Sequence, residues 1–274
     1  MKKILLTILP FFLVFAARAQ QSYEVGLFIG GSYYIGDLNP MGHFNNLTQP
    51  AAGGIFRYNF NPRFSARANG FYGTIKGDDA STRSFAQQQR NLHFKSTIME
   101  FSAIGEFNFL EYKLGSNKHP FTSYLFAGVG VFKHAPRALL NGNWIDLQPL
   151  GTEGQGTPLS DKKKYKLTQL CIPFGIGVKT NLAKRIGLSI EWGMRKTFTD
   201  YLDDVSGRYV NPYALATFNG PAAGILSDRS LVRDSFSNIG RQRGNPTTKD
   251  WYSFTGFILS FKLKDKADKC PFYR

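Results

Sequence analysis

Few features of this 274-residue sequence belong to soluble enzymes. It holds two cysteines, Cys171 and Cys270, and no Cys-x-x-Cys pair. Its four histidines, His43, His93, His119 and His134, are scattered, with none at metal-ligand spacing. There is no His-Glu-x-x-His helix and no nucleophile elbow. Gly151-Thr152-Glu153-Gly154-Gln155-Gly156 is rich in glycine but lacks the Lys-Ser/Thr that follows a phosphate loop. These absences point away from catalysis and from any bound cofactor or resident metal. Acids are scarce as well, with 19 Asp and Glu against 34 Lys and Arg, for a formal charge of +15. After the first twenty residues, no apolar run is long enough to cross a bilayer as a helix.

What is present begins with a leader. Lys2 and Lys3 precede the apolar stretch Ile4 to Ala17, and Ala17-Arg18-Ala19 is a small-x-small cleavage pattern before Gln20. This predicts a cleaved signal peptide over residues 1–19. No cysteine follows the site, so a lipid anchor is not indicated. Cleavage removes Lys2, Lys3 and Arg18 and no acid, lowering the formal charge from +15 to +12. An exported chain meets no nucleic acid. Its basic surplus reads as solvated charge, with outer-membrane lipids and lipopolysaccharide phosphates as neighbours for Lys162 to Lys164.

Eight segments alternate with period two. In the seventh, Ile186, Leu188, Ile190, Trp192 and Met194 oppose Gly187, Ser189, Glu191, Gly193 and Arg195. The sixth has Leu170, Ile172, Phe174, Ile176 and Val178 on one face, and the fourth has Met99, Phe101, Ala103, Phe107 and Phe109. The first has Val25, Leu27, Ile29 and Tyr33. Connections two–three, four–five and six–seven are brief; Asn61-Pro62-Arg63 makes one turn, with proline fixing φ. The other connections are long: 37–52, 76–91, 134–165 and 200–250. In a closed antiparallel barrel, every long loop then falls on one rim and both termini on the other. The expected fold is all-β, an eight-stranded up-and-down transmembrane β-barrel over residues 20–263. It has long external loops, short periplasmic turns and a basic periplasmic tail over 264–274.

Alternation alone leaves open which face points outward. The polar faces carry Glu24, Arg57, Arg67, Glu100, Glu106, Glu191 and Arg195, nearly balanced in sign. Eight strands leave an interior filled by side chains, where opposite charges can pair. The apolar faces are therefore placed outward and no open pore is expected. In the last loop, Asp200, Asp203, Asp204, Asp228 and Arg229 read as braces of a lid rather than as a Ca²⁺ site, whose spacing they do not match. Cys171 lies near the external end of the sixth segment and Cys270 beyond the eighth, on the opposite rim. About ten residues at ~3.3 Å each separate their levels, too far for a disulfide unless the tail folds into the barrel. Cys270 is thus either an inert thiol or the site of a bridge to a periplasmic partner.

Several motifs carry a resemblance. They are Tyr23-Glu24-Val25-Gly26-Leu27-Phe28-Ile29-Gly30-Gly31-Ser32 with Ile35-Gly36-Asp37-Leu38-Asn39; Asp146 to Gly156; Arg195 to Ser206; Leu226-Ser227-Asp228-Arg229-Ser230; Gln242-Arg243-Gly244-Asn245-Pro246; and Asp250-Trp251-Tyr252. Across nearly the whole mature chain the sequence resembles the PorG-like family of Bacteroidota outer-membrane barrels, associated with type IX protein secretion. The resemblance implies a non-enzymatic barrel that anchors or positions a periplasmic ring containing the lipoprotein PorK and the protein PorN. Topology places the tail on that rim, so Cys270, Lys264, Lys266 and Lys269 are the expected partner contacts. The alternative is an orphan surface barrel for adhesion, lipopolysaccharide contact or lipid modification, with function in the external loops.

Overall fold

The structure, a computed structural model, describes residues 22–40, 42–231 and 238–263. Eight long strands form the wall: β1 (Ser22–Ile35), β2 (Gln49–Asn59), β3 (Phe64–Asp78), β4 (His93–Asn108), β5 (Phe121–Leu140), β7 (Thr168–Ala183), β8 (Ile186–Thr197) and β9 (Trp251–Lys262). A four-residue strand, β6 (Asn143–Asp146), stands apart from the wall as a hairpin on the outer end of β5. Each wall strand pairs antiparallel with its neighbours, and the β1–β9 and β4–β5 pairings complete the ring. Closure matters because an unpaired backbone N–H or C=O in hydrocarbon costs several kcal/mol, so a spanning sheet can have no edge. At the β1–β9 seam, Gly30 faces Gly256, and a Cβ on Gly30 would fall 2.1 Å from the Thr255 carbonyl oxygen.

The alternation of side chains sorts lipid from lumen. Leu27, Ile29, Phe101, Val129, Leu170, Ile176, Ile190 and Phe257 are exposed on the outside. Their neighbours in sequence, among them Phe28, Glu100 and Glu191, are buried inside. Outward apolar residues and a filled interior make this an integral outer-membrane β-barrel. Lys262 donates its N–H to the Arg185 carbonyl and Leu263 to that of Tyr23, so β9 ends on the rim of the short turns, beside the start of β1.

Three expectations need correction. Tyr33 and Met194 lie on the outward face but are 1% and 7% exposed. The β1–β2 loop folds down over the wall there: the Phe44 ring lies 5.2 Å from that of Tyr33, and Tyr33 Oη sits 3.0 Å from His43 Nδ1. Trp192 Nε1 donates to the same hydroxyl at 2.8 Å. Secondly, residues 134–140 are strand, not loop; β5 runs 20 residues because its ladder continues beyond the apolar band with β4 and then β6. Thirdly, residues 49–52 belong to β2 and residues 76–78 to β3, not to loops. The 198–250 connection contains two helices, α2 (Pro212–Asn219) and α3 (Pro221–Ser227), while α1 (Phe85–Arg90) lies between β3 and β4. Asn211 starts α2 by accepting the Tyr213 and Ala214 N–H groups, and Pro212 occupies the first turn, where no donor is needed.

Candidate functional site

The interior has two zones. Nearer the short turns, Glu106 is the hub of a charge cluster. Its carboxylate lies 3.0 Å from Arg57 Nε and 3.2 Å from Arg67 Nε, and it accepts from Lys179 Nζ. Both Nε contacts lie off the hydrogen-bonding direction, so they are electrostatic; Arg57 Nη2 makes the directed bond to Glu106, at 3.3 Å. Arg57 Nη1 donates to Glu24 at 2.6 Å, and Arg67 donates two bonds to Glu191 at 2.7 and 3.1 Å. Tyr124 Oη adds a third bond to Glu191, and its ring lies 4.2 Å from Lys179 Nζ. Further up, Glu100 accepts from Arg195 Nε and from Tyr252 Oη, each at 2.9 Å. Counted together, Glu24, Glu100, Glu106 and Glu191 face Arg57, Arg67, Lys179 and Arg195, so the formal charge of this lumen set sums to zero. Lys179 and Tyr124 completed the set without being singled out in the sequence. Their signal was parity, since both fall on inward positions of strands whose outward faces are apolar.

Above this cluster the lumen is apolar. Phe254 packs edge to face on both Phe28 and Phe71, whose own rings are tilted by 31°, with the Arg195 guanidinium 5.0 Å from the Phe254 ring. Ile75, Phe94, Ile98 and Phe132 continue the core to the cap. Cys171 faces inward here; it is buried and free, and its sulfur accepts from Tyr252 Oη at 3.5 Å. Cys270, Lys264, Lys266 and Lys269 lie outside the described residues.

The long loops close over this end as one cap. At its centre Arg243, 3% exposed, pairs with Glu153 at 3.1 Å and donates to the carbonyls of Asp204 (2.6 Å) and Ser227 (3.1 Å). Glu153 also accepts the N–H groups of Ser206 and Gly207. Gly154, at φ +79, allows the sharp turn after it. Asp204 accepts from Thr152 and Tyr165. Asp203 accepts from Tyr34 and from the Val205 N–H, and Asp250 accepts the Leu202 N–H. Asp37 holds the Asn245 N–H, while Arg90, on α1, pairs with Asp79 and donates to the Arg243 carbonyl. Asp228 caps the following turn through Ser230 and takes a bond from Asn238, not from Arg229. Arg229 instead reaches the Leu139 carbonyl. Asp200 is buried without an ion pair among the described residues. The structure thus ties Asp203, Asp204 and Asp228 into loop contacts and Arg229 to the Leu139 carbonyl, while Arg229 pairs with none of the four aspartates among the described residues. Arg243, Glu153, Asp37 and Arg90, which the sequence reading did not select as sites, make the central contacts.

Burial pushes Asp203 and Asp250 well above the usual carboxylate range. It also pushes Asp200 up to about 6, and Asp204 up to about 6 against the pull of Arg243. A carboxyl group whose folded pKa is raised contributes stability that is complete below its unfolded pKa, near 4, and is lost as pH rises through the folded value. The cap is therefore expected to be tighter near pH 4.5 than near pH 7.5. Amide hydrogen exchange of residues 199–207, corrected for intrinsic rates, should slow at the lower pH; equal or faster exchange there would contradict this.

Among solved structures, the chain is similar to Ail, the attachment invasion locus protein of Yersinia pestis, at 9% identity and a TM-score of 0.42, covering 89% of this chain and 99% of that one. It is similar to Neisserial surface protein A at 10% identity and a TM-score of 0.44, with the same coverages. The N-terminal β-barrel domain of Pseudomonas aeruginosa OprF gives 10% identity and a TM-score of 0.36, covering 89% and 100%. These likenesses are loose, and the barrel assignment rests on the strand pairing itself. No curated protein matches the sequence. A family model described as Domain of unknown function (DUF6089) matches residues 2–219, and the chain belongs to that family.

Proposed function

We propose that this protein is a non-conducting, non-enzymatic anchor in the outer membrane that positions the periplasmic PorK/PorN ring of the type IX secretion machinery. The observation that carries the anchoring role is the filled interior: among the described residues, four acids, four bases and an aromatic core pack the lumen, which favours action through the wall and rims. The ring as partner is supported by the sequence resemblance, whose loop motifs supply Asp37, Glu153, Asp204, Arg243 and Asp250 of the cap. β9 ends on the short-turn rim, and Lys264, Lys266, Lys269 and Cys270 follow it in the sequence.

The test is purification of the tagged protein from native membranes in mild detergent, with and without reductant. Co-purification of a ring lipoprotein is expected, and truncation after Leu263 should abolish it. Loss on reduction, reproduced by Cys270→Ser, would assign the link to a disulfide. Recovery of the barrel alone, with secretion intact in a deletion strain, would overturn the proposal. It would favour the second reading, a surface barrel acting through its external cap, for which the dense bracing of the loops is the supporting observation.

A further inference from the structure

We propose that the outer wall of β3, β4 and β5 binds a phosphorylated, acylated glycolipid of the outer leaflet. The carrying observation is a juxtaposition of like charges. Lys76 on β3 is the register partner of Lys95 on β4, and Lys95 is in turn the partner of Arg137 on β5. All three positions share the parity of the lipid-facing residues. Lys133 lies on the same face, paired with Met99, four residues below Arg137 and hence roughly 13 Å along the strand. Like charges directly opposite in a sheet destabilise it. Arg137 is relieved by Asp146 on β6, and Lys95 lies 5.7 Å from the Trp144 ring. Among the described residues, no carboxylate comes within ion-pair distance of Lys76, Lys95 or Lys133.

The height of the cluster identifies its partner. Immediately below it, Tyr72, Phe101, Val131 and Leu170 are exposed and form the top of the apolar band. Lys133 sits at the edge of that band, and Lys76, Lys95 and Arg137 stand in the layer above, where outer-leaflet headgroups lie. Trp144, 42% exposed, is at the same level, the position of an interfacial aromatic. The cluster of neighbouring cations has no counterpart around β1 and β8: there the outward Tyr33 and Met194 are covered by the β1–β2 loop, and the outward Lys196 is paired in register with Ile172 and Trp251, which carry no charge. A phosphate can bridge two ammonium groups that repel each other when alone. A lipid places phosphate beside Lys76 and Lys95 while its acyl chains lie on Tyr72, Phe101 and Val131. The site belongs to the membrane-spanning wall and does not depend on a periplasmic partner.

The full-length protein in detergent, mixed with bisphosphorylated lipid A, is expected to retain the lipid in native mass spectrometry. K76Q/K95Q/K133Q should weaken retention about a hundredfold, and K95E alone about tenfold or more. K118Q/K184Q/R185Q, which removes the same charge at the short-turn rim, should leave it unchanged. Heat-modifiable migration on gels verifies that each variant is folded. Undiminished retention by the folded triple variant, or equal retention of dephosphorylated lipid A, overturns the site. Competition by inorganic phosphate at the affinity of the lipid would also overturn it, by assigning the cluster to free phosphate.

Discussion

Glu106→Gln is expected to destabilise the barrel by about 3–5 kcal/mol, the cost of breaking a buried charge network from one side. The side chain keeps its size, so no cavity opens. What changes is that Arg57, Arg67 and Lys179 lose the carboxylate they share, at 3.0 Å, 3.2 Å and hydrogen-bond distance respectively. Arg57 keeps Glu24 and Arg67 keeps Glu191, but Lys179 has no other carboxylate within ion-pair distance among the described residues. The uncompensated charge therefore falls on Lys179. Adding Lys179→Met to Glu106→Gln should recover part of the loss, because the lumen again has equal numbers of acids and bases. The measurement is urea unfolding of the reconstituted protein, followed by tryptophan fluorescence, for the two single variants and the double. Additive losses in the double variant would show that the two groups do not act as a pair.

The lumen was legible in the sequence and the cap was not, for a physical reason. In a strand, side-chain direction follows parity, so once Leu188 and Ile190 are placed outward, Glu191 and Arg195 must point inward. Arg57, Arg67 and Glu106 follow by the same rule on their own strands. The rule fails where a wall residue is covered from outside, as at Tyr33 and Met194, since parity gives direction and not exposure. It was also hidden at the outer end of β5, where His134, Pro136 and Arg137 read as a loop; proline cannot donate to a ladder, and its place here is above the apolar band. The inward apolar half of the lumen went unseen because outward neighbours such as Leu27, Ile29 and Tyr72 are apolar as well, so polarity does not separate the two faces at Phe28 and Phe71. In the cap no periodicity exists. Arg243 meets Glu153 across 90 residues, and Asn245 meets Asp37 across 208. Those residues do lie inside the loop motifs that carried the resemblance, so the motifs marked the right segments without showing which side chains join.

Arg243→Ala should open the cap at a cost of about 3–4 kcal/mol to its local stability while leaving the wall intact. One guanidinium holds three segments together: Glu153 before β7, the Asp204 carbonyl after β8, and Ser227 at the end of α3. Its removal leaves the Glu153 carboxylate, 3% exposed, with backbone N–H partners, the Tyr201 hydroxyl at 3.3 Å and, among the described residues, only the distant Lys162 as counterion, 3.9 Å away. Buried acceptors that lose their donor, and a buried charge that loses its counterion, account for the magnitude. Arg243→Lys should restore little, because an ammonium cannot direct bonds to three acceptors in the plane of the fork. Hydrogen exchange separates cap from barrel. Protection of residues 203–207 and of α3 should fall, whereas the amides of β3, β4 and β8 should exchange as in the wild type. The strands are held by wall-to-wall ladders and by the Glu106 cluster, none of which includes a cap residue. If strand protection fell together with that of the cap, the loops and the wall would be one cooperative unit, and the cap could not open without loosening the membrane-spanning wall beneath it.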